Sequence, residues 1–392
     1  MQPRLTDQRT RVSRFGMVAA LLGALLLTAL SAAAVGAATF AVTVDHTTDD
    51  TNACATTGAM PCSLRDAVAY ANTHTGTSDM TTITLPANSN PYALTARVNI
   101  QANLTINGGG ASVTVINGAA ADRIVSIIAG VTVTFNDLTL SNGHATTFAG
   151  GGAIYTVGAT TLNRCVVSNN TSTRPGGAIA SASGTLALNN SVVSNNTAIS
   201  GGGGVYGNGG SITVTNSQFT ANNVTGTLGS PGVPSGSAAG GAIAATSSFS
   251  VTGSSFTGNS ATGGSSSSGG SGGDAIGGAI SATTSFSVTG SSFTGNSATG
   301  GLGGTGISGA ANGGGLSAAG SGGTVTITAG NFATNTATGT NASSGAISNS
   351  GTLTVAATTF TANSAIGPGG GNDATNGSSV MGVASTIRAR SR

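Results

Sequence analysis

The side chains that could carry acid–base or metal chemistry are few, and their spacing keeps them apart. The 392 residues hold 10 acidic side chains, all Asp, and 12 basic ones, all Arg. In the repetitive part of the chain the carboxylates are Asp122, Asp137, Asp274 and Asp373, and the arginines are Arg97, Arg123, Arg164 and Arg174. Glycoside hydrolysis needs two carboxylates flanking one bond, and elimination needs a positioned acid and base. These acids fall in different repeat units, so no pair meets that requirement. Asp122 beside Arg123 is the closest pair and reads as a solvated turn ion pair. His46, His74 and His144 have no partners for a triad, and the absence of Trp removes the usual platform for a sugar ring. No catalytic residue and no cofactor are assigned, and the balance is against an enzyme.

Metal and thiol chemistry are equally sparse. The stretch Gly269-Gly270-Ser271-Gly272-Gly273-Asp274-Ala275-Ile276-Gly277 matches the calcium-binding nonapeptide pattern and makes Asp274 a weak metal candidate. Such sites are built between tandem copies. This copy stands alone in Gly/Ser-rich sequence and reads as an insertion loop. Cys54 and Cys62 lie close together in a polar loop, a spacing that can close a small disulfide ring in an oxidising compartment. Two reduced thiols are the alternative. Cys165 falls in a slot that Ser254 and Ser291 fill in later units, so it reads as a packed thiol rather than a nucleophile.

The N-terminus points to export. Arg4, Arg9, Arg11 and Arg14 precede an apolar run at 16–30 and a small-residue stretch at 31–38, the three parts of a secretory signal peptide. An uncleaved signal anchor is the alternative, because 16–38 is long enough to span a bilayer. Cleavage removes these four arginines and Asp7, leaving a near-neutral chain without a basic patch for phosphates. Nucleic acid is therefore excluded as a partner. No second apolar run of spanning length follows, so no integral membrane segment is expected after signal removal.

The elements that would position these residues form a repeat. Gly151-Gly152-Ala153-Ile154 recurs at Gly176, Gly202, Gly240, Gly277, Gly313 and, with Ser first, at Ser344. Each copy is followed by Val or Phe with Asn three residues later, which places Phe219, Phe256, Phe293, Phe332 and Phe360 in one series. The matching Asn series is Asn170, Asn196, Asn222, Asn259, Asn296, Asn335 and Asn363. The stretch 249–264 returns unchanged at 286–301. Between the two elements lie short alternating runs such as Thr185-Leu186-Ala187-Leu188, which read as strands with one apolar face. Such strands bury nothing alone, whereas stacked coils bury a continuous interior. The early period of about 25 residues suits a coil of three short strands and three turns. In register, the Phe series becomes a core stack and the Asn series a hydrogen-bonded ladder. The later periods are longer, and the excess, at about 224–239, 262–276 and 299–312, predicts flexible Gly/Ser loops crowding one edge. Ser63 and Asp66 predict a capping box for a short amphipathic helix that covers the first coil.

These residues carry a family resemblance. Cys62-Ser63-Leu64-Arg65-Asp66-Ala67-Val68, then Ala71-Asn72, Thr82-Ile83-Thr84-Leu85-Pro86, Leu104-Thr105-Ile106 and the Gly-Gly-Ala-Ile units, resembles bacterial secreted proteins with a CSLREA-type N-terminal domain. Asp66 stands where that motif usually has Glu. The Gly-Gly-Ala-Ile and Phe-x-x-Asn pairs are also similar to the repeats of polymorphic outer membrane proteins, though no C-terminal barrel pattern is present. The resemblance spans roughly residues 40–365. It implies an all-β fold, a right-handed parallel β-helix of the pectate-lyase-like kind with an N-terminal capping helix. The expected organisation is a signal peptide at 1–38, a cap at 39–96, β-helix repeats at 97–365 and a flexible tail at 366–392. The implied role is structural or adhesive, secreted or at the cell surface, with outer membrane association as a further option. Cell-surface glycans or proteins of a host or neighbouring cell are the expected partners. The alternative is a polysaccharide-binding or polysaccharide-degrading β-helix.

Overall fold

A computed structural model describes residues 38–49, 62–76, 79–146, 149–267, 269–304, 307–318 and 323–367. The segment read as a signal peptide, Cys54 and the C-terminal tail with Asp373 lie outside the described residues, apart from Ala38 and residues 366 and 367. What is described from Thr39 onward is a right-handed parallel β-helix. Its strands fall into sheets of eleven, ten, nine and eight strands, each pairing parallel with the same position one coil away. We name them the long, phenylalanine, isoleucine and alanine sheets. The long sheet starts with Thr39–Thr43, followed by Met80–Leu85, so stacking begins well before residue 97.

One coil shows why the sequence folds this way. Leu186–Asn189 lies in the long sheet with Leu186 and Leu188 buried and Ala187 and Asn189 partly exposed, the period-two pattern of a strand with one buried face. Val192–Ser194 follows in the phenylalanine sheet and buries Val193. Thr197–Ile199 makes the alanine sheet through Ala198, and Val205–Gly207 returns in the isoleucine sheet. The coil therefore has four strands, not the three expected. Three-stranded coils occur only at the start, because the alanine sheet begins with His144–Ala145 in the third coil. A three-residue strand whose apolar content is one Ala leaves little trace in hydropathy.

Corners between these strands repeat one device. A residue in the left-handed region is followed by a buried polar residue. Asn195 (φ 54), Ala221 (φ 53), Gly258 (φ 62) and Thr334 (φ 53) precede the Asn series, and Asn190 (φ 50), Asn216 (φ 48) and Gly253 (φ 59) precede Ser191, Ser217 and Ser254. The Gly-Gly pair divides its labour. At Gly176 the first glycine takes φ +82, and at Gly177 a Cβ would lie 2.1 Å from the carbonyl oxygen of Gly203 in the next coil.

Rings fill the interior of the later coils. Phe219, Phe256, Phe293, Phe332 and Phe360 stack face to face with centroids 4.9, 4.8, 4.5 and 5.4 Å apart. Phe249 and Phe286 make a second stack at 4.4 Å. Parallel in-register pairing imposes this spacing, and each pair contributes about 0.5–1.5 kcal/mol beyond its burial.

The N-terminal end is covered by one helix, Leu64–Ala71, which buries Leu64, Ala67, Val68 and Ala71. Ser63 and Asp66 form the reciprocal capping box, with the Asp66 N–H donating to Ser63 Oγ at 3.2 Å. At the other end, Asn72 donates to the Asn99 carbonyl and accepts from the Gln101 N–H, both at 2.8 Å, which ties the helix to the first coil.

The described parts of the inserted segments are hydrogen-bonded into layers rather than separate from the stack. They leave the alanine sheet, run outward and return through Ala238–Ala239, Ala275–Ile276 and Ala311–Asn312, which pair as a three-stranded sheet of their own. Ala238, Ala275, Ala311 and Ala342 pack on Ala198, Val224, Ala261, Ala298 and Ala337 to form a second small core. Their glycines knit the layers together. Gly264 donates to the Gly236 carbonyl, Gly273 to Gly264, Gly301 to Gly273 and Gly309 to Gly301, at 2.8–2.9 Å. A Cβ on Gly264, Gly273, Gly301 or Gly309 would lie 1.9–2.0 Å from a carbonyl oxygen of a facing segment. Gly-rich composition here permits close backbone packing and does not mark a linker.

Candidate functional site

The Asn series occupies the corner between the phenylalanine and alanine sheets, with Asn170, Asn196, Asn222, Asn259, Asn296 and Asn335 fully buried. In each coil the backbone N–H and side-chain amide both donate to the Oδ1 of the Asn one coil further on. For Asn222 and Asn259 the two distances are 3.1 and 3.0 Å. The same amide group also donates to a carbonyl one coil back, as Asn259 does to Phe219 at 2.9 Å. Each buried amide is thus satisfied within the stack.

A second ladder, which the sequence reading missed, runs through the other corner. Ser191 Oγ accepts from the Cys165 N–H, Ser217 Oγ from Ser191, Ser254 Oγ from Ser217 and Ser291 Oγ from Ser254, at 3.0–3.1 Å. Cys165 holds the same slot, its thiol donating toward the Phe135 and Asn163 carbonyls at 3.4 Å. Burial is the main cause that pushes this thiol up to about 11. It is a ladder member and not a nucleophile. The signal in the sequence was the recurrence of Cys, Ser or Thr five places before the ladder Asn residues, broken only by Gly330 before Asn335.

The charged groups serve the fold in separate places. Asp137 pairs with Arg164 one coil away through two hydrogen bonds of 2.6 and 2.7 Å, which holds its carboxyl below the usual range. Asp122 accepts the Arg123 N–H at 2.7 Å. Arg123 is 2% exposed and lies 5.2 Å from the Tyr155 ring centroid, so the solvated ion pair expected from sequence is corrected to a buried guanidinium on an aromatic face. Asp274 accepts the Ala310 N–H at 2.7 Å, a loop-to-loop contact, and no group of three metal-ligating side chains occurs among the described residues.

The cap holds the densest polar network. Arg65 grips Asp49 through Nε and one terminal nitrogen at 2.7 and 2.8 Å and donates to the Ala96 and Arg97 carbonyls. Thr95 donates to Asp49 from its N–H and hydroxyl. Burial pushes the Asp49 carboxyl up, but the Arg65 and Thr95 bonds outweigh it, and the group ends below its ordinary value. Cys62 is buried beside this network.

A shallow cavity of about 460 Å³ opens beside the first coils, lined by Asn88, Ser89, Pro91, Ser112, Asn117 and Asn142 among others, with no titratable side chain among the described residues of its wall. It offers amides and hydroxyls, a chemistry of binding.

No family model matches the sequence, and a comparison with curated proteins finds no match. Among solved structures the chain is similar to a mannuronic acid specific polysaccharide family 6 lyase from human gut microbiota, at 11% identity and TM-score 0.29, over 75% of this chain and 82% of that one. A likeness of this size says nothing about activity or substrate.

Proposed function

We propose that this chain is a secreted or cell-surface β-helix with a structural or adhesion-type role. The observation that carries the reading is where its chemistry sits: Asp49, Asp137 and Asp274 each brace a different layer of the stack, while uncharged hydroxyls and amides repeat along its outside. The resemblance to CSLREA-type secreted proteins and to polymorphic outer membrane protein repeats belongs to this reading, as do the signal peptide at 1–38 and the Cys54–Cys62 disulfide. Surface glycans or neighbouring-cell proteins are the partners it favours. Protease shaving of intact cells, with fractionation and an attachment assay of a deletion strain, tests it. Protein confined to the cytoplasm, or unchanged attachment, would count against it.

The cavity by Asn88 and Asn117 favours a second reading, a polysaccharide-binding β-helix. A glycan array, combined with the substitution Asn117→Ala, separates the two. Binding lost in the variant would favour the glycan reading.

A further inference from the structure

The outward face of the long sheet is regular along its whole length. One column runs in register from Thr82 to Thr354, with Thr or Ser at each position except Ala187. A second column, two residues along each strand, runs from Thr84 to Ala356 and is Thr or Asn until that last position. Neither column contains a charge. Exposed faces ordinarily mix Lys, Glu, Arg and Asp. Thr213, Ser250, Thr252, Ser287 and Thr289 are partly or fully exposed, and among the described residues their hydroxyls make no side-chain hydrogen bond.

The other faces share this order only in part. On the phenylalanine sheet one outward column changes through Val166, Val192, Gln218, Ser255 and Asn331, while the other keeps Ser168, Ser194, Thr220, Thr257 and Thr294 as far as Ala333. Of these two sheets, only the long one therefore carries two polar columns side by side. On the isoleucine sheet Ala180, Ala244, Ser281 and Ser317 are buried.

Two spacings define the lattice. Neighbouring coils are about 4.8 Å apart and outward side chains on one strand about 6.8 Å apart, each within about a tenth of the two oxygen repeats on a prism face of hexagonal ice. β-Branched Thr has a restricted χ1, so its hydroxyl and methyl keep their places in the array. We propose that this face binds ice: its hydroxyls order water at lattice positions, and its methyls and the absence of charge let that layer merge with a crystal. A flat polysaccharide would call for aromatic platforms, and the two columns have none.

The full chain purified after export is the reagent. It should be retained in ice grown slowly from dilute solution and should slow ice recrystallisation. Thr213→Lys with Ser287→Lys, two outward positions of the first column, should raise the concentration needed by about tenfold or more. Ser255→Lys with Ser292→Lys on the phenylalanine sheet should leave it unchanged. Circular dichroism checks that each variant folds, and Ala187→Lys reads the same column if the first pair does not. Exclusion of the unaltered protein from ice overturns the proposal. So does equal loss in both pairs, or retention on insoluble cellulose or chitin without retention in ice.

Discussion

The side-chain oxygen of Asn259 accepts two hydrogen bonds from a single residue, the backbone N–H and the side-chain amide of Asn222 one coil earlier, at 3.1 and 3.0 Å. Both residues are fully buried, so neither donor has water as a substitute. Asn259→Ala therefore orphans the Asn222 N–H and one of its two amide protons, the other keeping its bond to the Val193 carbonyl, and removes the side-chain bond to Asn296. The expected cost is about 2–3 kcal/mol, read as a lower denaturant midpoint. The same change at Asn363, in the last described coil, should cost less.

Removing residues 240–276 joins Ala239 to Gly277, where the next unit begins with the same four residues. Phe219 then meets Phe293 as it met Phe256. In a nearest-neighbour stack the deletion removes one coil and one interface and leaves the rest paired. The variant should remain soluble and β-rich and shorten by about 4.8 Å in scattering measurements. Aggregation would show that the coils are not interchangeable.

How much of this was legible in the sequence differs between the corners and the loops. The Phe and Asn series could be read because each coil repeats the same side chain at the same offset, and parallel pairing converts that offset into contact. The alanine sheet was not legible, since Ser260–Thr262 advertises itself by Ala261 alone. The loops were misread for a physical reason. Glycine lowers the cost of disorder and of close packing alike, and only the neighbouring layer decides between them. The serine ladder was half visible: Cys165, Ser254 and Ser291 align in the sequence, but the bond runs to a backbone N–H that no side-chain pattern reveals.

The loops provide a direct check. At Gly301 a Cβ would lie 1.9 Å from the Gly264 carbonyl oxygen, which is backbone and cannot move aside cheaply. Gly301→Ala should destabilise the inserted layers by about 1–3 kcal/mol and open them to limited proteolysis. A flexible spacer would accept the same change unnoticed.

Acid should loosen the cap first. The Asp49 carboxyl is held below its ordinary value of 3.8, so the unfolded state binds the proton more readily. Its contribution is fully present above pH 3.8 and is lost as the pH falls through the lower folded value. Hydrogen exchange across Leu64–Ala71 should rise in that window, and Asp49→Asn should flatten the dependence while weakening the cap at neutral pH.

Cys62 lies at the start of the helix, and Cys54 lies outside the described residues. The pairing proposed above predicts that non-reducing peptide mapping of exported protein finds these two linked and Cys165 as a free thiol. Finding both Cys54 and Cys62 free would remove the disulfide from the cap.

Both internal ladders point the same way. From Asn170 to Asn363 each bond between neighbouring ladder amides runs toward the C-terminal end, and the serine hydroxyls accept from backbone N–H groups with the same polarity. The stack thus has a growing end. A coil that has just closed presents unsatisfied donors at both corners, and the acceptors that satisfy them lie in the stretch of chain synthesised next. With the helix sealing the opposite end, a chain emerging N-terminus first can lay down one coil at a time, each new coil supplying the acceptors that the one before it lacks.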